Sequence, residues 1–164
     1  MSLLRSVLIA LTLAFAPLSA FAGSDLTSLD GKPRTLDEFL TSGKWTVVGV
    51  WGPRCGYCHA EMPEREQLHR RRDDINMVGV AIDHQSLERA KPAEVREFVR
   101  QHRLSYPILM SDAGIVAALG GGDFIGTPTT LIFNRQGKLV ARQPGRVANK
   151  VIETYIDRAN REGP

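Results

Sequence analysis

Two uncharged runs rich in β-branched side chains, residues 45–51 (WTVVGVW) and 75–82 (INMVGVAI), are separated by a polar stretch of helical character over about residues 56–72. Strands with no charged or alternating face must be covered on both sides, the pattern of a parallel sheet core. Parallel neighbours need a crossover, and the intervening helix supplies it, so this part of the chain reads as a βαβ unit, right-handed in nearly all known cases. With 43% of its 164 residues hydrophobic and 24% charged, the chain suffices for one such core and is too short for two comfortable ones.

The remaining pattern continues the alternation. Residues 92–103 place Val95, Phe98 and Val99 at i, i+3 and i+4 behind Pro92, which suits a first helical turn. Residues 107–110 predict a short strand, residues 113–119 a short helix and residues 120–122 a glycine loop. Residues 129–133 and 138–141 predict two strands joined by a turn over residues 134–137, with Gly137 where a positive φ is wanted. Residues 148–159 predict a closing helix with Val151, Ile152, Tyr155 and Ile156 on one face. The expected fold is α/β, a mixed central β-sheet with helices on both faces, its βαβ unit followed by a C-terminal hairpin and helix.

The opening 22 residues are of another kind. Arg5 gives a short positive region, residues 7–16 an apolar run, Pro17 a break, and Ala20, Phe21 and Ala22 a small-x-small cleavage signal before Gly23. This predicts a signal peptide over residues 1–22 and one domain over residues 23–164, exported and soluble after cleavage. The apolar run is shorter than the roughly 20 residues that cross a bilayer, which leaves an uncleaved N-terminal anchor as the alternative. With no cysteine before Cys55, lipid attachment at the cleavage site is not expected. The 21 basic and 18 acidic side chains are interspersed and form no basic stripe for nucleic acid. The densest run, Arg70, Arg71 and Arg72, is followed at once by Asp73 and Asp74 and reads as a solvated helix end.

Exported proteins of this size can carry several structural disulfides, yet this chain has only Cys55 and Cys58. A disulfide closing so small a loop constrains the unfolded chain little, so its purpose is expected to be chemical. The pair stands just past the strand ending at Trp51, at the start of the next helix, where free N–H groups and the positive end of the macrodipole favour an anion. Lowering a thiol from about 8.5 to about 7 there is worth roughly 2 kcal/mol. Cys55, exposed at the helix start, is the expected nucleophile. Cys58, one turn further in, is expected to resolve the mixed disulfide that Cys55 forms.

The stretch from Trp51 to Cys58 (WGPRCGYC) resembles the active-site segment of the thioredoxin superfamily. Glu61, Met62 and Pro63 behind it resemble the TlpA-like (ResA/DsbE-like) thiol:disulfide interchange proteins. Residues 78–83 (VGVAID), Phe98, Tyr106 with Pro107, residues 126–133 (GTPTTLIF) and Gly137 with Lys138 follow in the order of that branch, covering nearly all of the chain after residue 22. The resemblance implies a thioredoxin-like fold, a cis-proline at Pro128 opposite Cys55, and substrate contact at Trp51, Thr127 and Pro128, with the Thr127 backbone pairing to an extended peptide. It implies no metal and no cofactor beyond the redox-active Cys55–Cys58 disulfide. The implied partners are disulfide-bearing exported proteins, cytochrome c precursors among them, and a membrane thiol electron donor. A monomer in the periplasm of a Gram-negative bacterium, working as a reductase, completes the expectation.

Several positions depart from that family. Arg54 stands where a tryptophan commonly precedes the first cysteine, and its charge would favour the thiolate. Gly49 occupies the place of the buried aspartate of thioredoxin, so the proton carrier must lie elsewhere; Glu61 and Asp83 are the candidates, with a solvated surface carboxylate as the plain alternative for each. His59, four residues after Cys55, would stabilise the thiolate as an imidazolium or sit idle on the helix.

Rival readings follow from the same residues. Cys55 to His59 spells C-x-x-C-H, a haem attachment signature, which would consume both cysteines as thioethers. Two thiols with His59 could hold copper or zinc, but His69, His84 and His102 have no ligand-like spacing. A disulfide oxidase or isomerase is the nearer alternative, because Gly56 and Tyr57 carry no charge to set the potential while Arg54 and His59 push it toward oxidation.

Overall fold

The computed structural model describes residues 26–120 and 122–162. The signal segment expected over residues 1–22 and Gly121 of the expected glycine loop lie outside the described residues. The elements run β1 (Leu26–Ser28), β2 (Pro33–Arg34), α1 (Asp37–Leu40), β3 (Trp45–Trp51), α2 (Gly56–Arg71), β4 (Ile75–Ala81), α3 (Pro92–His102), β5 (Ile108–Met110), α4 (Ala113–Gly120), β6 (Thr129–Phe133), β7 (Leu139–Pro144) and α5 (Asn149–Glu162). The strands form one sheet in the order β2-β1-β5-β4-β3-β6-β7. Its centre is the predicted βαβ unit: β3 and β4 pair in parallel from Trp45 opposite Ile75 to Trp51 opposite Ala81. β5 extends the parallel part, while β6 and β7 add an antiparallel side.

All seven residues of β3 are buried, and their alternation divides the core between the two faces of the sheet. Val47 and Trp51 join Met62 of α2, Phe98 of α3 and Ile152 of α5 on one face. Val48 and Val50 join Leu36, Val116 of α4 and Leu131 on the other. Each fully buried side chain of this size contributes about 1.5–3 kcal/mol, so the uncharged run is held in register from both sides.

Local chemistry sets the element ends. Pro92 opens α3, and Arg103 closes it in the left-handed region at φ 52°, with the Leu104 N–H returning to the Val99 carbonyl. Gly137 turns the β6–β7 hairpin at φ 75°. In the arginine run at the end of α2, Arg70 and Arg71 are exposed as expected and only Arg72 is largely covered. Arg70 pairs with Glu66, Arg71 with Glu153, and Arg72 with Asp74 and Asp157, so the last two tie α2 to α5.

Residues 26–40 carry three elements absent from the sequence expectation, because two- and three-residue strands and a single helical turn show no period. β7 also runs on to Pro144, since its pairing with β6 continues to Thr129 opposite Pro144 past an irregularity at Ile132 and Phe133. Among the described residues no helix is long and apolar enough to cross a membrane.

Gly79 lies beside Gly49 in the β3–β4 register. A Cβ at Gly79 would meet Ile108 Cδ1 at 2.6 Å and Trp51 Nε1 at 2.8 Å, so the indole edge occupies the space the glycine leaves. Gly79→Ala is expected to lower unfolding stability by about 1–3 kcal/mol, measured by urea denaturation; a loss below about 0.5 kcal/mol would contradict this packing.

Candidate active site

The chain leaves β3 and reaches the first turn of α2 within four residues. Gly52 makes the tight exit possible, because a Cβ there would meet the Ile82 carbonyl oxygen at 3.0 Å and His84 Cβ at 3.2 Å. The Cys55 N–H donates to the Gly52 carbonyl at 3.0 Å. Cys55 itself is the N-cap of α2, in extended conformation (φ −86°, ψ 108°), and its Sγ accepts the Cys58 N–H at 3.2 Å. That N–H also reaches the Cys55 carbonyl oxygen at 3.0 Å, so the sulfur shares one of the amide donors at the helix start. Cys55 and Cys58 form a disulfide with Cα atoms 5.2 Å apart. The expectation of an exposed Cys55 needs correction, since in the disulfide form it is only 5% accessible and Cys58 is 0% accessible. Of the two residues Cys55 is the more accessible.

A shallow cleft of about 410 Å³ opens beside the dithiol, lined by Tyr57, Ile125, Gly126, Thr127, Pro128 and Arg146 among others. The Thr127–Pro128 peptide bond is cis. This loop is fixed by the Gly145 N–H donating to the Pro128 carbonyl at 2.8 Å and by Thr129 Oγ1 donating to the Gly126 carbonyl at 2.6 Å. Tyr57 and Ile125 are 72% and 65% exposed, the two most open large apolar side chains among the described residues. Neither was expected from the sequence to face a cleft, because an isolated apolar residue, whether in a first helical turn as Tyr57 or in a loop as Ile125, gives no sign that it faces solvent.

Four sequence expectations meet a different geometry. Trp51 cannot touch substrate, because its side chain is fully buried and stacked on Phe98 with ring centroids 4.3 Å apart. Arg54 turns away to pair with Asp83 and, at 3.6 Å, with Glu94, so its charge is answered by two carboxylates. Asp83 is held well below the usual carboxylate range, chiefly by the Gln85 N–H and further by the Ser86 N–H and Arg54. It therefore stays ionised at neutral pH and makes a poor proton carrier. His59 is no idle surface ring: Nε2 lies 3.0 Å from the Pro53 carbonyl oxygen and Nδ1 lies 2.8 Å from His102 Nε2.

Glu61 stays a candidate, and in an unexpected setting. It is 3% accessible and pairs with Arg65, which is 0% accessible; the Val147 N–H also reaches its carboxylate at 3.3 Å. Burial pushes the Glu61 carboxyl up, against the pull of Arg65. Arg65 further donates to Asn149 Oδ1 at 2.5 Å and to the Val147 carbonyl at 2.8 Å, locking α2 to the start of α5. The spacing of Glu61 and Arg65 is the i,i+4 pattern, a signal present in the sequence and overlooked there; Asn149 and His102 are too distant along the chain to be paired by spacing. The place held by Gly49 is filled by Met77, whose Cε would lie 3.3 Å from an added Cβ.

Removing one partner of a buried ion pair strands the other. Glu61→Leu is expected to cost about 3–5 kcal/mol of unfolding stability, and Glu61→Leu with Arg65→Met to recover most of it. Chemical denaturation of the two variants checks this, and a single variant as stable as the parent chain would contradict it.

Residues 14–156 match the family model described as Redoxin. The chain is 27% identical over 131 residues to the "Thiol-disulfide oxidoreductase ResA" of Bacillus thuringiensis subsp. konkukian, covering 80% of this chain and 71% of that one. It is 29% identical over 132 residues to the "Thioredoxin-like protein YneN" of Bacillus subtilis, covering 80% and 74%. Among solved structures, a DsbF homologue from Corynebacterium diphtheriae superposes with a TM-score of 0.69 at 23% identity, covering 82% of this chain and 83% of that one, which shows the thioredoxin-like fold. With a strand-to-helix dithiol at Cys55 and Cys58 and the family model spanning most of its length, the chain belongs to the Redoxin family, as a TlpA-like, thioredoxin-fold redox enzyme.

Proposed function

We propose that this chain is an extracytoplasmic thiol:disulfide reductase acting on disulfides in exported proteins, cytochrome c precursors among them. The observation that carries the reading is the Cys55–Cys58 disulfide capping α2 beside a cleft built on Thr127 and cis Pro128. In this reading Cys55 attacks as a thiolate. One sulfur of the substrate disulfide leaves and takes a proton, a mixed disulfide forms, and Cys58 then attacks Cys55 Sγ to release the second substrate sulfur. Cys58 must lose its proton in that step. Glu61, three residues on along the same helix, is the group we assign to receive it, its raised pKa bringing it closer to the range a proton carrier needs.

The surface supports a peptide substrate. No backbone hydrogen bond of Thr127 is formed among the described residues, which leaves its N–H and C=O open to an extended strand. Tyr57 and Ile125 flank that strand's path with exposed apolar area. The signal over residues 1–22 would place the domain in a Gram-negative periplasm, where a membrane thiol donor restores the reduced pair and a monomer suffices.

Charge near Cys55 bears on direction without deciding it. Of the two cations the sequence offered to the thiolate, Arg54 is neutralised by Asp83 and Glu94, which removes one of the influences favouring an oxidising pair. A Cys58→Ser variant is expected to accumulate mixed disulfides with exported proteins and Cys55→Ser to accumulate none, read on non-reducing gels; the opposite pattern would reverse the roles. A reduction potential near that of thioredoxin, about −270 mV, supports the reductase, and one near about −120 mV supports an oxidase.

A further inference from the structure

His59, on α2 one turn past Cys55, meets His102 of α3, with His59 Nδ1 and His102 Nε2 2.8 Å apart and His59 Nε2 3.0 Å from the Pro53 carbonyl oxygen. A carbonyl only accepts, so His59 Nε2 carries a hydrogen. Between the rings there is room for one hydrogen and no more, since two N–H groups cannot point at each other across this distance. His59 therefore has an acceptor for each of its nitrogens if His102 presents a bare Nε2, and two acceptors are what an imidazolium requires.

The surroundings favour that arrangement. Phe98 packs on both rings, with centroids 4.5 Å from His59 and 4.4 Å from His102, and itself stacks on Trp51. Both His59 nitrogens have a hydrogen-bond partner, whereas His102 Nδ1 has none among the described residues, so His59 is the ring whose two N–H groups would both be accepted; burial, then the neighbouring His59 ring, also pushes His102 below the ordinary histidine range. The charged groups in the cleft beside His59 are Arg54, Glu94 and Glu97. Arg54 pairs with Asp83 and Glu94, Lys91 also reaches Glu94 at 3.6 Å, and Glu97 pairs with Arg100. These charges are answered among themselves, and no carboxylate pairs with either histidine among the described residues.

We propose that His102 is a positioning residue for the dithiol: its neutral Nε2 accepts from a doubly hydrogen-bonded His59 imidazolium, fixing one positive charge a helical turn from Cys55, where the thiolate forms on reduction. The proposal rests on the thiol–disulfide reading above. When an external dithiol reduces the pair, it becomes a disulfide and delivers two electrons and two protons. The Cys55–Cys58 bond breaks, one proton goes to Cys58, the other to solvent, and Cys55 remains a thiolate balanced by His59.

The test uses the full chain in its reduced form. The rate of Cys55 alkylation by iodoacetamide is followed against pH by peptide mass for the parent chain, His102→Leu and His102→Gln. The leucine removes the acceptor and should slow alkylation about tenfold on the acid side, the ratio that a one-unit displacement of the midpoint gives. The glutamine offers an amide oxygen in its place and should keep most of the parent rate. A leucine profile that overlays the parent, or a glutamine profile as slow as the leucine one, overturns the assignment. Nitrogen NMR of the parent chain at about pH 6, below the ordinary imidazole value of about 6.5, gives a readout that needs no variant: His59 should be protonated on both nitrogens and His102 bare at Nε2, whereas a neutral His59, beside a charged or a neutral His102, overturns it. A parent Cys55 that resists alkylation at every pH would refute the thiol–disulfide reading itself; a reactive Cys55 indifferent to residue 102 refutes only the role of His102.

Discussion

A strand buried on both faces can deliver functional groups only at its ends, and β3, with all seven residues buried, delivers them at Trp51. The chain then turns at Gly52 and starts α2 almost at once, so the first amide donors of a sixteen-residue helix converge on the residue that caps it. That residue is Cys55. Its sulfur accepts one of those donors in the disulfide form, and the same donors favour negative charge once the bond is broken. Sheet burial, helix initiation and thiol reactivity are consequences of one junction, and the rest of the molecule supports it.

The support is largely electrostatic closure. Arg54, the cation nearest Cys55 in the chain, is claimed by Asp83 and Glu94, and Glu61 by a fully buried Arg65 that also grips Asn149. The buried network fastens α2 to α5, while the arginines at the far end of α2 do so again through Glu153 and Asp157. The active-site helix is held at its middle and at its far end and leaves the Tyr57 side of its first turn open. A buried pair such as Glu61 with Arg65 adds little net stability compared with apolar packing; its consequence here is a carboxyl kept out of water three residues from Cys58.

Much of this was legible in the residues. The uncharged runs located β3 and β4 almost to the residue, because continuous apolar strands of that length fit few other places. Pro92 and Gly137 marked a helix start and a turn through the backbone angles they favour. The pairing of Cys55 with Cys58 was equally plain. What stayed hidden depended on contacts between distant segments: Trp51 reads as a site residue until Phe98 covers it, Arg54 reads as a thiolate partner until Asp83 takes it, and His102 carries no mark of meeting His59. The two short strands between residues 26 and 34 were invisible because the sheet edge, not their own sequence, makes them strands.

The most direct test of the account is whether the two sulfurs cycle. The purified chain is equilibrated in glutathione buffers of graded poise, quenched with an alkylating agent and weighed intact. The account predicts two populations only, both thiols free or both joined, interconverting reversibly as a single two-electron couple. A chain that stays in one state across the series, or that retains glutathione on Cys55 because Cys58 never displaces it, would contradict it.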